Sequence, residues 1–543
     1  MAERIPWTNM ARVPQITKDF YDGRGEIVRL LGGDWRDSNA VKLVKDQRQS
    51  LKTPSNLGDA IRLSYGDTEI PDTVDKNLKA LNSQDTLAIV TGQQLGLFGG
   101  PLFTFYKALT AIFLARKLEN DYKTNVVPIF WMETGDADYS EVNRTGFPPA
   151  ADDPRRAVYM LRDIVSGKSV HHHILTPEID VVREEILNWL NSSPHRRRYG
   201  KIISNCYRSG TPIVDAFRKL FTSLLGSMGL VMFDALDPNI VDISRPFWQK
   251  CMERPESLNN AFSVSSREVM AMRLPLQVRM RTNTLPIFQM DEDGIRHRIT
   301  GHSDSWQKGT DPKIYNNGDL QNMAENEKSI FSPAVLLRPL LQDWLLPTWI
   351  YVGGPSEIAY HAQIGRAYDQ IELPRPLLAP RISATLVERQ VRRWLDKNNW
   401  KVIEVLGGKE LLLRTTGSAS SLGELFDTGS AHLRGWLARI QQQADIAGID
   451  ISRELDQSGR KLGYQWAKLL NTTMKKVSER DEARVSHAQR LQNHLFPENV
   501  LQERQFNFLH YLARYGNQLI QAIDSEKDMF HPQHIVIDLE QER

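Results

Sequence analysis

The stretch Thr86–Leu118 limits the fold more than any other. A short β-branched run, Leu87-Ala-Ile-Val-Thr91, is followed by glycine and reads as a buried strand. It opens into Gly92–Pro101, a decapeptide with four glycines and one proline. Leu102–Leu118 then places Leu102, Phe105, Leu109, Ile112 and Phe113 at helical spacing. Pro101 suits the first helical position and Gly100 the cap. Asn125–Trp131 is a second apolar strand. Strand, glycine turn, helix, strand is most economically a parallel pair joined by a crossover helix, so the expected class is α/β with a parallel sheet.

The pattern recurs in Ala334–Glu388. Thr348–Val352 reads as a strand, Gly353-Gly354-Pro355 as the turn, and Ile358, Ala362, Ile364 and Tyr368 as one helix. Pro376–Glu388 reads as a strand leading into a helix, and Thr211–Pro238 as one more helix and strand. The core is therefore expected in three pieces, 1–148, 211–260 and 331–395, with insertions at 149–210 and 261–330. Loops are expected at Asp152–Arg156, Ser192–Arg198, Ser303–Gly318 and Arg414–Ser421. Within 396–496, the segment Ile449–Leu495 repeats apolar residues in steps of 3, 4 and 7 on a charged background, which predicts a long helix, paired as a coiled coil or docked on its own domain. Residues 497–543 are expected to pack back on the core.

Composition narrows the partners. Lys plus Arg number 68 and Asp plus Glu 66, a net charge of +2, so bulk charge offers no hold on nucleic acid or membrane. No apolar run reaches the roughly 18–20 residues that span a bilayer, and the N-terminus has no apolar leader core. Two cysteines, Cys206 and Cys251, support neither a disulfide framework nor a zinc cluster. A cytoplasmic location is expected.

In an open parallel sheet, ligands bind beyond the carboxyl ends of the strands. Both Gly-Gly-Pro turns would lie there, Gly99 and Gly100 in one and Gly353 and Gly354 in the other, each aiming a helix N-terminus at an anion. Gln93 and Gln94 add amides, Thr104 a hydroxyl in the first turn, and Lys107 a charge on the same face. Asp136, Asp138 and Glu141 follow the second strand and suit a substrate ammonium, a magnesium ion or a base. Arg338 could grip a carboxylate, with Gln342 beside it. Glu357 reads first as a helix cap, and His361 shares its face. No metal-ligand spacing stands out, and His171, His172 and His173 read as a loop without partners.

Four segments carry a resemblance: TGQQLGLFGGPLFTFYKALTAIFLA, PIFWMETGDADYSEVN, RPLLQDWLLPTWIYVGGPSEIAYHAQIGRAYDQ with PRISATLVE, and LFPENVLQERQFNFLHYLARYG. Their types and order resemble the bacillithiol biosynthesis cysteine-adding enzymes, the BshC family. The resemblance implies a Rossmann-like core similar to nucleotidyltransferases, connecting-peptide insertions, and a coiled-coil domain that forms a homodimer. It implies a ligase joining cysteine to glucosaminyl-malate through an amide bond, the last step of bacillithiol synthesis. ATP or ADP with magnesium is the cofactor it suggests. On that reading Asp136, Asp138 and Lys107 are the catalytic candidates, and the other named residues bind substrate. The family's usual acidic motif is Glu-Asp-His-Asp, whereas this chain has Gly135, Asp136, Ala137 and Asp138. Glu133 or His361 would then have to serve for the absent side chains. The alternatives are a nucleotide-dependent ligase or transferase on another anionic substrate, or a non-catalytic dimeric ligand-binding protein.

Overall fold

Five strands run parallel in one sheet: β1 (Leu87–Gln93), β2 (Val126–Met132), β3 (Val231–Asp234), β4 (Thr348–Gly353) and β5 (Leu377–Pro380), in the spatial order β5-β4-β1-β2-β3. The computed structural model describes residues 3–540 apart from 11–12, 52, 151–152, 161–164, 282, 409–417, 479–481 and 529–531. The chain leaves β1 toward β2 and β3, then returns to build β4 and β5 on the other side, so the topological switch lies between β1 and β4. Register aligns the carboxyl ends: Gln93 pairs with Met132, Met132 with Asp234, and Gly353 with Pro380. Every residue of β2, β3, β4 and β5 is buried, as expected where helices cover both faces.

The crossover from β1 to β2 is α1 (Leu102–Tyr122), longer by four residues than its apolar pattern predicts. Pro101 is its cap, with extended ψ of 167°, and not its first helical residue. Phe105 stacks on Phe508 with ring centres 4.8 Å apart, and each such buried ring contributes about 1.5–3 kcal/mol. The helix α2 (Ile213–Leu225) precedes β3. Before β4 lies α3 (Arg338–Leu345), and after it α4 (Pro355–His361).

The single helix expected from Ile358 to Tyr368 is two. It stops at His361 and restarts at Gly365. Gln363, between them, turns its amide to the backbone of Val278, accepting from its N–H at 2.9 Å and donating to its carbonyl at 2.8 Å. That outside partner replaces a helical turn. Downstream of β5, Ser383–Glu388 is a further strand, and helix begins only at Arg389.

The insertion at 261–330 carries its own antiparallel sheet of Thr284–Met290, Arg296–His302, Ser305–Lys308, Ile314–Tyr315 and Ile330–Pro333. Residues 506–535 belong to the same compact unit as the parallel sheet, together with 1–147 and 156–384. The other unit comprises 148–155, 385–505 and 536–543. In it Ser418–Ile446 and Ser452–Ser478 form a helical hairpin: Trp466 packs on Phe426 at 5.2 Å and donates to its carbonyl. Of the expected long helix, Ser452–Ser478 and Glu482–Leu495 are helical, and residues 479–481 lie outside the described residues. Its apolar stripe finds a partner within this chain, in Ser418–Ile446. Of the expected loop Arg414–Ser421, residues 414–417 lie outside the described residues and 418–421 are helical.

Candidate functional site

Lys107 is buried two turns into α1, which points it back at the end of β1. Its Nζ donates to the Gly92 carbonyl at 2.7 Å and to Gln93 Oε1 at 2.8 Å, and lies 2.5 Å from Glu357 Oε2. All three ammonium protons are thereby engaged. Burial pulls its pKa down to about 8, against the opposing pull of Glu357. Glu357 also caps α4, accepting from the Gly354 N–H at 2.8 Å and from the Tyr351 hydroxyl at 2.6 Å. Burial would raise its carboxyl, but Lys107 and these donors hold it below the usual range. The capping role and the ion pair coexist in one side chain.

Beside this pair, Arg338 lies against the faces of Trp131 and Tyr351, donates to Gln342 at 2.8 Å and sits 3.7 Å from Glu133 Oε2. Gln342 passes the network on to Asp343. Burial raises the Glu133 carboxyl despite Arg338. Farther along the edge, Gln94 donates to Asp136 Oδ2 at 2.5 Å, while Asp136 Oδ1 accepts from the Ala137 N–H and lies 3.8 Å from Arg296. Arg296 comes from the inserted sheet, where Ser332 and the Pro333 carbonyl hold it and Phe288 lies under it.

The expected pair of open helix N-termini is not what forms. Gly99 gives its N–H to the Gly96 carbonyl and the Tyr207 hydroxyl, and a Cβ there would meet Phe508 at 2.5 Å. Leu102 N–H goes to the Phe506 carbonyl, so the end of α1 is sealed by the chain itself. Gly100, at φ 77°, serves the turn. The Gly354 N–H is taken by Glu357, and the Gly353 carbonyl accepts from the Arg381 N–H. What joins the two crossovers is the side-chain pair Lys107–Glu357. Thr104 is buried in the first turn of α1 and its hydroxyl has no partner among the described residues.

Asp138 does not join these residues. It is exposed and caps the four-residue helix Tyr139–Val142 through the Ser140 N–H, because a short helix after a turn needs an acceptor there. Glu141 is exposed on that helix, and no polar contact draws it in. His361 is buried against the rings of Tyr351 and Tyr360, its Nε2 without a partner among the described residues, and burial lowers its pKa well below the ordinary histidine value.

The histidine triplet is not a loop without partners. Val170–His172 is a 3-10 turn tied to the acidic loop, with the Val170 N–H on the Asp136 carbonyl and the His171 N–H on the Thr134 carbonyl. His171 Nδ1 lies 3.0 Å from Oδ2 of Asp234, at the end of β3. Arg381, over the Phe103 ring, also borders the site. Asp234 closes an apolar strand, the same signal that marked Asp136. Among the described residues, no group of three or more His, Cys, Asp or Glu side chains could hold a metal ion.

Residues 2–382 match the family model described as bacillithiol biosynthesis BshC, N-terminal Rossmann-like domain. Residues 384–539 match the corresponding C-terminal coiled-coil domain. A protein of Salinibacter ruber named "Putative cysteine ligase BshC" is 27% identical over 538 residues, covering 96% of this chain and 95% of its own length. Proteins of the same name from Solibacter usitatus and Koribacter versatilis are 28% and 29% identical, over 81% and 80% of this chain and 82% and 81% of theirs.

Proposed function

The chain belongs to the BshC family of bacillithiol biosynthesis, and from that premise we propose that it is an amide-forming ligase that adds cysteine to glucosaminyl-malate. The observation that carries the reading beyond the family is the mixture of charges at the switch point: Lys107, Arg338 and Arg296 alternate with Glu357, Glu133 and Asp136 along one sheet edge. An acyl acceptor with malate carboxylates needs cations, and the cysteine ammonium needs a carboxylate. Glu133 and Asp136 suit the ammonium; Arg338 and Arg296 suit the carboxylates.

Joining a free carboxylate to an amine is uphill in water, so the cysteine carboxyl must first be activated, for which a nucleoside triphosphate is the co-substrate. The amino group of the sugar then attacks. A homodimer through the helical unit belongs to the same reading, and sedimentation of the full chain tests it. Protein incubated with cysteine, glucosaminyl-malate and a nucleoside triphosphate should yield the thiol conjugate by mass spectrometry. Folded protein that makes none with any nucleotide would exclude the reading. Ala137, where the family usually has histidine, favours a second possibility, a ligase for another anionic acceptor. Unchanged low-molecular-weight thiols in a deletion strain would support it.

A further inference from the structure

The end of β3 holds a catalytic-looking pair that the charge network above does not use. Asp234 is 1% exposed, yet its carboxylate is fully provided for. Oδ1 accepts from the Thr134 hydroxyl and the Leu236 N–H, and Oδ2 faces His171 Nδ1 at 3.0 Å with Arg218 at 3.9 Å. Arg218 is itself tied to Asp215 on α2. An ionised carboxylate only accepts, so the proton between the two residues belongs to Nδ1 of the imidazole. That leaves the Nε2 lone pair. Among the described residues no protein group takes it, and the His171 side chain keeps 22% of its surface exposed. The turn carrying it is bonded to the backbone of Thr134 and Asp136, so the imidazole stands beside the acidic loop. A buried acid orienting a partly exposed imidazole at the carboxyl edge of a parallel sheet is the arrangement that general-base chemistry requires.

We propose that His171, oriented by Asp234, is the general base that takes the proton from the attacking amine. The inference rests on the ligase reading. In the step, the amine nitrogen forms the C–N bond to an acyl carbon activated as a mixed anhydride with phosphate. The C–O bond to phosphate breaks with its electron pair, and the amine proton passes to His171 Nε2. The groups facing the imidazole are Asp234 and Asp237 near the end of β3, Arg218 from α2, and His172 on its own turn.

The test uses the full-length protein with His171→Ala, His171→Gln and Asp234→Asn. In the ligase assay, His171→Ala should lower kcat about 100-fold or more, with KM changed less than threefold, and added imidazole should restore part of the rate. The acid limb of the pH–rate profile should disappear with it. If wild type makes product and His171→Ala stays within twofold with an unchanged profile, the inference is overturned while the ligase reading stands. If wild type makes no product, the ligase reading fails, and NMR of 15N-histidine-labelled protein decides the rest. There His171, assigned by its loss in His171→Gln, should show the Nδ1–H form and shift on addition of glucosaminyl-malate, and Asp234→Asn should abolish both. An Nε2–H form, or no response to the amine, would overturn the inference.

Discussion

Lys107 and Glu357 come from crossovers far apart in the chain, and their charged atoms meet at 2.5 Å. The contact joins α1 to α4 across the topological switch between β1 and β4. Removing one partner strands the other. Lys107→Met should destabilise the fold by about 3–5 kcal/mol, the usual cost of leaving a buried charge without its counter-ion. The double variant Lys107→Met/Glu357→Gln should recover part of that loss, measured as denaturation midpoints. Additive losses would mean that the two side chains do not interact.

Lys107 also predicts an alkaline effect. Its pKa is depressed to about 8, so it carries charge below that pH and loses it above. If it helps to hold an anionic substrate, KM for that substrate should rise as pH climbs through about 8. A flat KM between pH 7 and 9 would separate Lys107 from binding.

The two aspartates of the acidic loop should part company. Asp138 only caps a four-residue helix from its exposed end, so Asp138→Ala should cost about 1 kcal/mol and leave kcat/KM within twofold. Asp136→Asn disturbs the contacts with Gln94 and Arg296 and should lower kcat/KM more than tenfold. Steady-state kinetics on the purified variants decides this.

Gly99 has φ of 87°, and a Cβ on it would lie 2.5 Å from the Phe508 ring and 3.0 Å from Leu220. Gly99→Ala should therefore lose about 2–4 kcal/mol, from strain and overpacking together. Gly354→Ala, at φ −80° with its nearest contact at 3.3 Å, should lose distinctly less. Urea midpoints of the two variants provide the comparison.

The His171–Asp234 pair should shape stability against pH. Burial lowers the imidazole pKa, but Asp234 more than offsets this and holds it above 6.5. Burial raises the Asp234 carboxyl, but His171 and Arg218 more than offset this and hold it below 3.8. A raised histidine stabilises fully below its unfolded value and loses the effect as pH rises through its folded one. A depressed aspartate stabilises above its unfolded value and loses the effect as pH falls through its folded one. The pair should thus contribute most between pH 3.8 and 6.5. His171→Gln should flatten the decline above 6.5 in thermal midpoints, and an unchanged slope would contradict the pairing.

Much of the parallel sheet was legible because its strands are short apolar runs, β1 and β4 leading into glycine turns and β2 into an acidic loop, and the pattern needed no distant information. The charge network was legible in part. Gln93 and Gln94 were marked by the turn after a strand, Lys107 and Glu357 by the helices that follow such turns, and Arg338 by the segment before β4, but their partners were not. His171 escaped because its spacing suggested no ligand set, and its partner Asp234 lies far along the chain at the end of β3. Arg296 escaped because an insertion delivers it.

Sequence alone determined the local alternation of strand, glycine turn and helix, since period and backbone freedom are properties of neighbouring residues. Tertiary structure alone decided that the end of α1 is sealed by Phe506 and Gly99's packing, that Asp138 faces solvent, and that His171 meets Asp234. Those outcomes depend on which distant segment packs against each group in the folded chain, and no local periodicity encodes that pairing.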